Sequence, residues 1–167
     1  MEIYSYLFLR FARGLLQAFS DIDAFAFHTD LVPIGNELKD KNTRRLERKL
    51  KNLSSGWLGG TRIAESLEEF NTHYAGHTIN RNTIVMIFSD GYDSSEPDQL
   101  IEQILKVKQH CRKLVWVNPL LGRSVPEEKT VLAVDECLQA VQPYLDLYTS
   151  AHSLESLNNL APAFSLR

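Results

Sequence analysis

Apolar and polar side chains fall along the chain in blocks that predict short strands separated by longer helices. The most apolar block covers residues 84–89, where five large apolar side chains follow one another before Ser89. An unbroken run of this length, rich in β-branched residues, is typical of a strand buried on both faces. We expect it to be the best-buried element of the fold. It ends in Ser89-Asp90-Gly91, which predicts a carboxylate at the carboxyl end of a central strand.

Four other stretches have the pattern of strands: residues 21–27, 31–34, 114–117 and 144–148. Pro33 fits an edge position in the second of them, because proline cannot donate to a sheet ladder. Residues 28–30 then link the first two strands as a hairpin.

Six stretches have apolar residues at helical spacing. They predict helices over residues 2–19, 42–53, 97–110, 131–141 and 154–161, and a helix after Thr61 whose apolar stripe is Ile63, Leu67, Phe70 and Tyr74. Strands that alternate with helices predict an α/β fold with helices on both faces of the sheet. The length of 167 residues and the absence of a linker-like tract predict one domain over residues 1–167.

Composition narrows the classes of function. The chain is 44% hydrophobic and 23% charged, which is ordinary for a globular protein, and its net charge of -3 gives no reason to expect nucleic acid as a partner. The basic face of helix 42–53 is interpreted as a solvated surface. No apolar run is long enough to span a membrane. Cys111 and Cys137 form no C-x-x-C pair, so we expect two reduced thiols in a cytoplasmic protein.

Candidate chemistry gathers at the carboxyl ends of the predicted strands. Gly59 and Gly60 precede Thr61, whose hydroxyl serves either as a helix N-cap or as a ligand. Thr61 and Asp90, with Asp93 as a further candidate, offer hard oxygen ligands, which suit Mg²⁺ or Mn²⁺. Two protein ligands are too few for an octahedral site, so water and a further ligand must complete it.

One other pair of residues has the spacing of a metal site. His73 and His77 lie four positions apart, as zinc ligands on a helix do. The chain has no H-E-x-x-H motif there, and Gly76 lies between them. We therefore expect exposed histidines at a helix end.

Four segments resemble the von Willebrand factor A (VWA) domain of CoxE-like proteins. They are Ser-Gly-Trp-Leu-Gly-Gly-Thr-Arg-Ile-Ala-Glu-Ser-Leu (55–67), Phe-Ser-Asp-Gly-Tyr-Asp (88–93), Trp-Val-Asn-Pro-Leu-Leu-Gly (116–122) and Ala-His-Ser-Leu-Glu-Ser-Leu (151–157). The resemblance extends over nearly the whole chain. It implies a Rossmann-like, doubly wound, mostly parallel sheet with a metal-ion-dependent adhesion site.

By this resemblance Thr61 and Asp90 are metal ligands, and Gly60, Ser89, Gly91 and Asp93 lie beside them or contact the partner. An acidic side chain of the partner completes the Mg²⁺ shell in such domains, so the site binds and does not catalyse. The resemblance further implies a MoxR-type AAA+ ATPase as a partner and a metalloenzyme as the client whose maturation is aided.

The chain departs from the family pattern at its start. The Asp-x-Ser-x-Ser motif is absent, and so is the first central strand that carries it. We expect Met1 to be the methionine that follows this motif in the family, in a shortened version of a longer protein. We also expect Mg²⁺ affinity to be weak or lost. Unpaired strand edges predict a chain that is destabilised, prone to aggregate, or rearranged so that the flanking strands pair directly.

Three functional interpretations follow. The first is a protein-binding module with an incomplete adhesion site. The second is a divalent-metal-dependent phosphotransfer or hydrolase enzyme that uses Asp90 and Asp93. The third is an inactive fragment.

Overall fold

A computed structural model describes residues 11–16, 18–19, 21–27, 30–40, 62–121, 136–150, 160 and 164. The chain divides into two compact units, residues 1–62 and 63–167. The single domain over residues 1–167 stays a prediction. In the described part of the chain, no helix combines the length and the apolar character that crossing a membrane requires.

The first unit contains an antiparallel hairpin and two short helical segments. Its described elements are α1 (residues 11–16), β1 (Phe25–Phe27), β2 (Leu31–Pro33) and α2 (Gly35–Lys39). β1 pairs with β2 from Phe25 opposite Pro33 to Phe27 opposite Leu31. The predicted hairpin is therefore confirmed, although the strand predicted over residues 21–27 is regular only in its last three residues.

Helix α2 was not expected from the sequence. It carries Leu38 into a small core with Ile34, and Ala12 and Leu16 of the first helix pack against this pair. The spacing of Ile34 and Leu38 is that of one helical turn, which is the signal that a five-residue helix leaves in a sequence. The basic helix predicted over residues 42–53 lies outside the described residues.

The second unit is an α/β unit with a parallel sheet. Its elements are α3 (Ile63–His73), α4 (Ala75–Thr78), β3 (Ile84–Phe88), α5 (Pro97–His110), β4 (Lys113–Asn118), α6 (Glu136–Val141), a 3₁₀ turn (Gln142–Tyr144) and β5 (Leu147–Ser150). The strand order is β3-β4-β5, and both pairings are parallel. Helices thus connect successive parallel strands, as the predicted α/β fold class requires.

Several helix predictions are confirmed in this unit. Helix α5 covers residues 97–110 as expected, with Pro97 in its first turn. It packs against α3, where the Asn71 Nδ2 group donates to the carbonyl and side-chain oxygens of Gln103, each at 3.1 Å. α6, described from Glu136 to Val141, contains the last six residues of the helix predicted over 131–141; residues 131–135 lie outside the described part.

The prediction that residues 84–89 form the best-buried strand is wrong. Most residues of β3 are half-buried, whereas all residues of β4 from Leu114 to Asn118 are buried. The reason is position in the sheet. β4 pairs with β3 on one edge and with β5 on the other, whereas β3 pairs with β4 alone among the described strands. The hydrophobicity of a strand shows only that it can be buried. Its position in the strand order decides whether it becomes the central strand.

The last predicted strand lies later in the chain than expected. Residues 142–144 form a 3₁₀ turn, and the strand begins at Leu147 instead of Tyr144. Pro143 has no N–H to give to a ladder and a fixed φ, so it favours a turn. Asp146 then attaches the chain to β4: its N–H donates to the Leu114 carbonyl at 2.9 Å, and its carboxylate accepts from the Leu114 N–H at 2.6 Å.

The carboxylate of Asp146 makes the stability of this unit pH-dependent. Partial burial favours the neutral acid, but hydrogen bonds from Lys108 Nζ and the Leu114 N–H, with the charges of Lys108 and Lys113, outweigh burial and hold its pKa below 3.8. The unfolded chain has the higher pKa, about 3.9. The stabilisation is therefore complete above that pH and is lost as pH falls through the folded value.

We expect Asp146→Asn to be less stable than the wild type by a constant amount between about pH 7 and pH 5. This difference should shrink as the pH is lowered below about 4, as measured by urea unfolding at a series of pH values. Glu102→Gln is the control, because Glu102 forms an exposed i,i+4 pair with Lys106 at 2.7 Å and such pairs contribute little. A difference for Asp146→Asn that does not change with pH would contradict the prediction.

Candidate functional site

The carboxyl ends of the three parallel strands lie along one edge of the sheet, and β3 continues there into a tight turn. Ser89, Asp90 and Gly91 form this turn. Gly91 has a φ of 90°, which side chains rarely tolerate, and it is buried against Leu138 of α6. The Gly91 N–H donates to the Ser89 Oγ at 3.1 Å. The glycine is therefore required by the turn, and the predicted strand-end position of Asp90 is the one observed.

Two side chains of β4 hold the backbone of this turn. The indole Nε1 of Trp116 donates to the carbonyl of Ser89 at 3.0 Å, and the Nδ2 of Asn118 donates to the carbonyl of Asp90 at 3.1 Å. Trp116 and Asn118 are two residues apart on the strand, so they point to the same face. Two consecutive carbonyls are thus fixed by neighbouring positions of the best-buried strand.

Asp90 itself is half-buried at this edge. Its Oδ1 accepts a long hydrogen bond of 3.4 Å from the Tyr92 N–H, which closes an Asx-type turn around Gly91. A carboxylate in this position lies where ligands bind in open α/β sheets, beyond the carboxyl ends of the strands.

Asp93 has a structural role that the sequence did not predict. Its Oδ1 accepts from the Ile63 N–H at 3.2 Å, and its Oδ2 accepts from the Ala64 N–H at 3.0 Å. Its Oδ1 also accepts from the N–H and the hydroxyl of Ser95, at 3.1 and 3.0 Å. Asp93 therefore caps the N-terminus of α3 from a distant part of the chain, and both of its oxygens are engaged by protein donors.

The described residues do not by themselves make a divalent-cation site. No group of three His, Cys, Asp or Glu side chains within the described part of the chain is arranged to hold a metal ion. Asp93 caps a helix, and the Ser89 Oγ accepts the Gly91 N–H. Of the two expected ligands, Asp90 lies at the edge as predicted, whereas Thr61, with the neighbouring Gly60, lies outside the described residues. The joint site of Thr61 and Asp90 stays a prediction.

The two histidines with metal-like spacing are exposed. His73 ends α3 and His77 lies in the separate short helix α4, with Tyr74 between the two helices. This agrees with the prediction of exposed histidines at a helix end.

The edge around Asp90 also presents large apolar side chains to solvent. Tyr92 follows β3 and is 41% exposed, and Leu121 follows β4 and is 38% exposed. Both lie in the segments that leave the carboxyl ends of β3 and β4, the edge at which Asp90 also lies. Single exposed apolar residues are normal, and aromatic residues are enriched at protein-binding surfaces.

Sequence reasoning missed two side chains that organise this edge. Asn118 joins the turn after β3 to Tyr148 of β5, whose Oη accepts from the Asn118 Nδ2 at 3.0 Å. Burial raises the pKa of Tyr148, with the Asn118 N–H opposing it, so the phenol stays neutral at neutral pH. The sequence did contain a signal for Asn118, which is a polar residue between the apolar run 114–117 and a proline. This pattern marks the end of a strand, where the last side chain lies at the edge of the sheet.

Comparison with known families supports the fold and the resemblance of the sequence. A family model described as "VWA domain containing CoxE-like protein" matches residues 1–157. The comparisons with curated proteins and with solved structures found no match. The family match covers most of the chain, and the parallel β3-β4-β5 sheet with its connecting helices agrees with a VWA-like α/β fold. The chain therefore belongs to the family of VWA domain containing CoxE-like proteins.

Proposed function

We propose that this chain is a protein-binding module that docks its partner at the carboxyl edge of the parallel sheet, around Asp90. The observation that carries the proposal is the anchored turn. Just after β3, the carbonyls of Ser89 and of Asp90 itself accept hydrogen bonds from Trp116 and Asn118. Because the backbone that carries the carboxylate is already held in place, less conformational entropy is lost when a ligand binds there.

The surroundings of Asp90 favour a protein as the ligand. Tyr92 and Leu121 supply exposed aromatic and aliphatic surface at the same edge. Tyrosine is enriched among the residues that contribute most to protein–protein binding, because it combines a large apolar face with a hydrogen-bonding group. A binding surface of this kind needs no nucleophile and no general base.

For the partner and the cellular role, the proposal relies on the resemblance to CoxE-like proteins. A MoxR-type AAA+ ATPase is the proposed partner, and a metalloenzyme whose maturation the pair assists is the proposed client, in the cytoplasm. The resemblance also assigns Mg²⁺ or Mn²⁺ to the family's site, with Thr61 and Asp90 as the expected protein ligands, and we expect the affinity to be weak or lost because the Asp-x-Ser-x-Ser motif is absent. The structure of the described residues supports a weak site, because Asp93 is engaged by helix amides.

The enzyme alternative has less support. A phosphotransfer or hydrolase mechanism based on Asp90 and Asp93 needs both carboxylates at the reacting centre. Asp93 accepts four hydrogen bonds from Ile63, Ala64 and Ser95, which hold it at a helix end.

We expect Asp90→Asn to lower the affinity for a nucleotide-free MoxR-type ATPase about tenfold or more, because it removes the central charge with little change of shape. Asp98→Asn is the matched control: it removes the same charge from an exposed position in the first turn of α5 and should stay within about twofold. Biolayer interferometry with the immobilised 167-residue chain measures both. Equal affinities of Asp90→Asn and the wild type would overturn the proposed docking edge.

The same pair of variants tests the metal. Calorimetric titration with Mg²⁺ should show weak binding by the wild type and by Asp98→Asn, and none by Asp90→Asn, because a neutral amide is a poor ligand for a hard cation. Equal Mg²⁺ binding in wild type and Asp90→Asn would remove Asp90 as a ligand.

A further inference from the structure

Basic side chains gather at the amino edge of the parallel sheet, opposite the edge of the candidate site. Arg81 is exposed at the tip of the turn that leads into β3, where the Thr83 N–H donates to the Asn80 carbonyl at 2.8 Å. The Arg112 N–H donates to the Thr83 carbonyl at 2.8 Å, so Arg112 lies directly beside this turn. Lys113 follows as the first residue of β4. Arg81, Arg112 and Lys113 define the basic surface.

The charge of the basic surface differs in sign from that of the whole chain, which is -3. The carboxylate of Asp146 lies at the same edge, but its Oδ2 accepts from Lys108 Nζ and from the Leu114 N–H. Within the part of the chain that the structure describes, neither Arg81 nor Arg112 forms an ion pair. The two arginines are therefore available to an external group.

The dipoles of the helices do not account for the basic surface. Lys108 and His110 lie in the last turn of α5, where cations stabilise the end of a helix. Arg81 and Arg112 lie outside the helices, in a turn and just before a strand. Tyr144, in the 3₁₀ turn that leads into β5, adds an exposed aromatic side chain to this edge. Tyrosine and arginine are both enriched at protein-binding surfaces.

The carboxyl edge of the same sheet carries the opposite charge. Glu96 is exposed at the N-cap of α5, and Glu136 is exposed in the first turn of α6. These two helix starts lie side by side, because the Cys137 Sγ donates to the Ser95 carbonyl at 3.2 Å. Asp90 lies at this edge as well. Asp90, Glu96 and Glu136 define the acidic surface.

The two surfaces are complementary, but one copy of the chain cannot bring them together. The six residues of β4, at about 3.3 Å each, separate the two edges of the sheet by about 20 Å. Two copies in the same orientation can place the basic surface of one against the acidic surface of the next. This contact is heterologous, because different patches of the two copies meet. Two basic surfaces, or two acidic ones, would repel each other.

We infer that a second copy of this chain docks head to tail, with the basic surface of one copy on the acidic surface of the next. The inference involves no other protein, so it goes beyond the proposed function and does not depend on it. Exposed ion pairs contribute little each, so the self-association is weak. It is also sensitive to salt, because the Debye length falls from about 30 Å at 10 mM to about 3 Å at 1 M.

Sedimentation velocity of the 167-residue chain tests this inference. We expect the weight-average sedimentation coefficient to rise with protein concentration at about 10 mM NaCl and to stay constant at about 1 M. Arg81→Gln with Arg112→Gln, and separately Glu96→Gln with Glu136→Gln, should each weaken self-association about tenfold. Glu102→Gln with Lys106→Gln is the control: it removes an exposed pair from the middle of α5 and should change nothing.

An equimolar mixture of the two edge variants is the decisive sample. The arginine variant keeps the acidic surface, and the glutamate variant keeps the basic surface. One native contact can therefore form between unlike chains, and we expect the mixture to form heterodimers with an affinity close to that of the wild type. A contact between two identical surfaces would not recover in this mixture.

Three outcomes would overturn the inference: a wild-type chain that stays monomeric at about 10 mM NaCl, self-association that both edge variants retain, and a mixture no more associated than its components. Thermal unfolding shows whether each variant is folded. If a double variant is unfolded, Arg81→Gln or Glu96→Gln takes its place, since both side chains are exposed. Each single variant should weaken self-association about threefold, and an unchanged affinity in both would equally contradict the head-to-tail contact.

Discussion

Gly91→Ala is expected to lower the free energy of unfolding by about 2–5 kcal/mol. About 1–2 kcal/mol of this loss comes from placing a side chain in the left-handed region, and about 1–3 kcal/mol comes from overpacking. Gly91 has a φ of 90°. A Cβ at this position would lie 2.5 Å from the Leu138 Cδ2 and 2.9 Å from the Leu138 Cβ. Leu138 is itself buried in α6, so it has little room to move away. Denaturant unfolding of the two chains measures the difference.

Two further variants separate the causes of this loss. Gly76→Ala is the control, because no atom lies within 4 Å of the added methyl in the short helix α4, and we expect a gain of about 0.4–1 kcal/mol there. The double variant Gly91→Ala with Leu138→Ala should be less destabilised than the sum of the single variants by about 1–3 kcal/mol, because the shortened side chain removes the overlap. Strict additivity would show that Leu138 is not the obstacle.

The sequence predicted the α/β class and the position of Asp90 because both depend on local patterns. An apolar run of strand length followed by Ser-Asp-Gly marks a strand and its turn, and Pro97 marks the start of α5. These signals are contained in a few consecutive residues. The parallel order of β3, β4 and β5 then follows from the helices that connect them.

The errors arose where a contact joins distant residues. The sequence of Ile84–Phe88 is as apolar as that of a central strand, yet β4 is buried more completely because it has a described strand on each edge. The role of Asn118 was missed for the same reason, since its partners Asp90 and Tyr148 lie 28 and 30 residues away. A single sequence gives no measure of which polar residues meet across a sheet.

The candidate site shows the same difference between local signals and long-range contacts. Asp90 was found from its own strand, whereas the function of Asp93 depends on a helix that begins 30 residues earlier. The sequence placed Asp93 beside the metal site or in an active site, because Asp-Gly-Tyr-Asp brings two carboxylates close together. The hydrogen bonds from the N–H groups of Ile63 and Ala64 show that the second carboxylate, of Asp93, has a structural role.

Asp93→Ala should lower the free energy of unfolding by about 2–4 kcal/mol, since it leaves two N–H groups in the first turn of a helix without their acceptor. Ile63 and Ala64 are both buried, so water cannot replace the lost carboxylate at little cost. The charge of Asp93 also interacts favourably with the N-terminus of α3. This interaction accounts for about 0.3–1 kcal/mol of the expected loss. Asp93→Asn keeps an acceptor oxygen and should fall between the wild type and Asp93→Ala.

The decisive comparison is between stability and binding. If Asp93 belongs to the fold, Asp93→Ala measured well below its unfolding temperature should retain the affinity of the wild type for Mg²⁺ and for the partner, while Asp90→Asn loses binding with little loss of stability. Asp98→Asn, with its exposed carboxylate, controls for the change of charge and should stay within about 0.5 kcal/mol of the wild type. Asp93→Ala could instead have normal stability and lose Mg²⁺ binding. That result would show that Asp93 acts at the metal site and would favour the metal-dependent enzyme. A binding module requires one anchored carboxylate at this edge, and the second carboxylate holds the helix beside it.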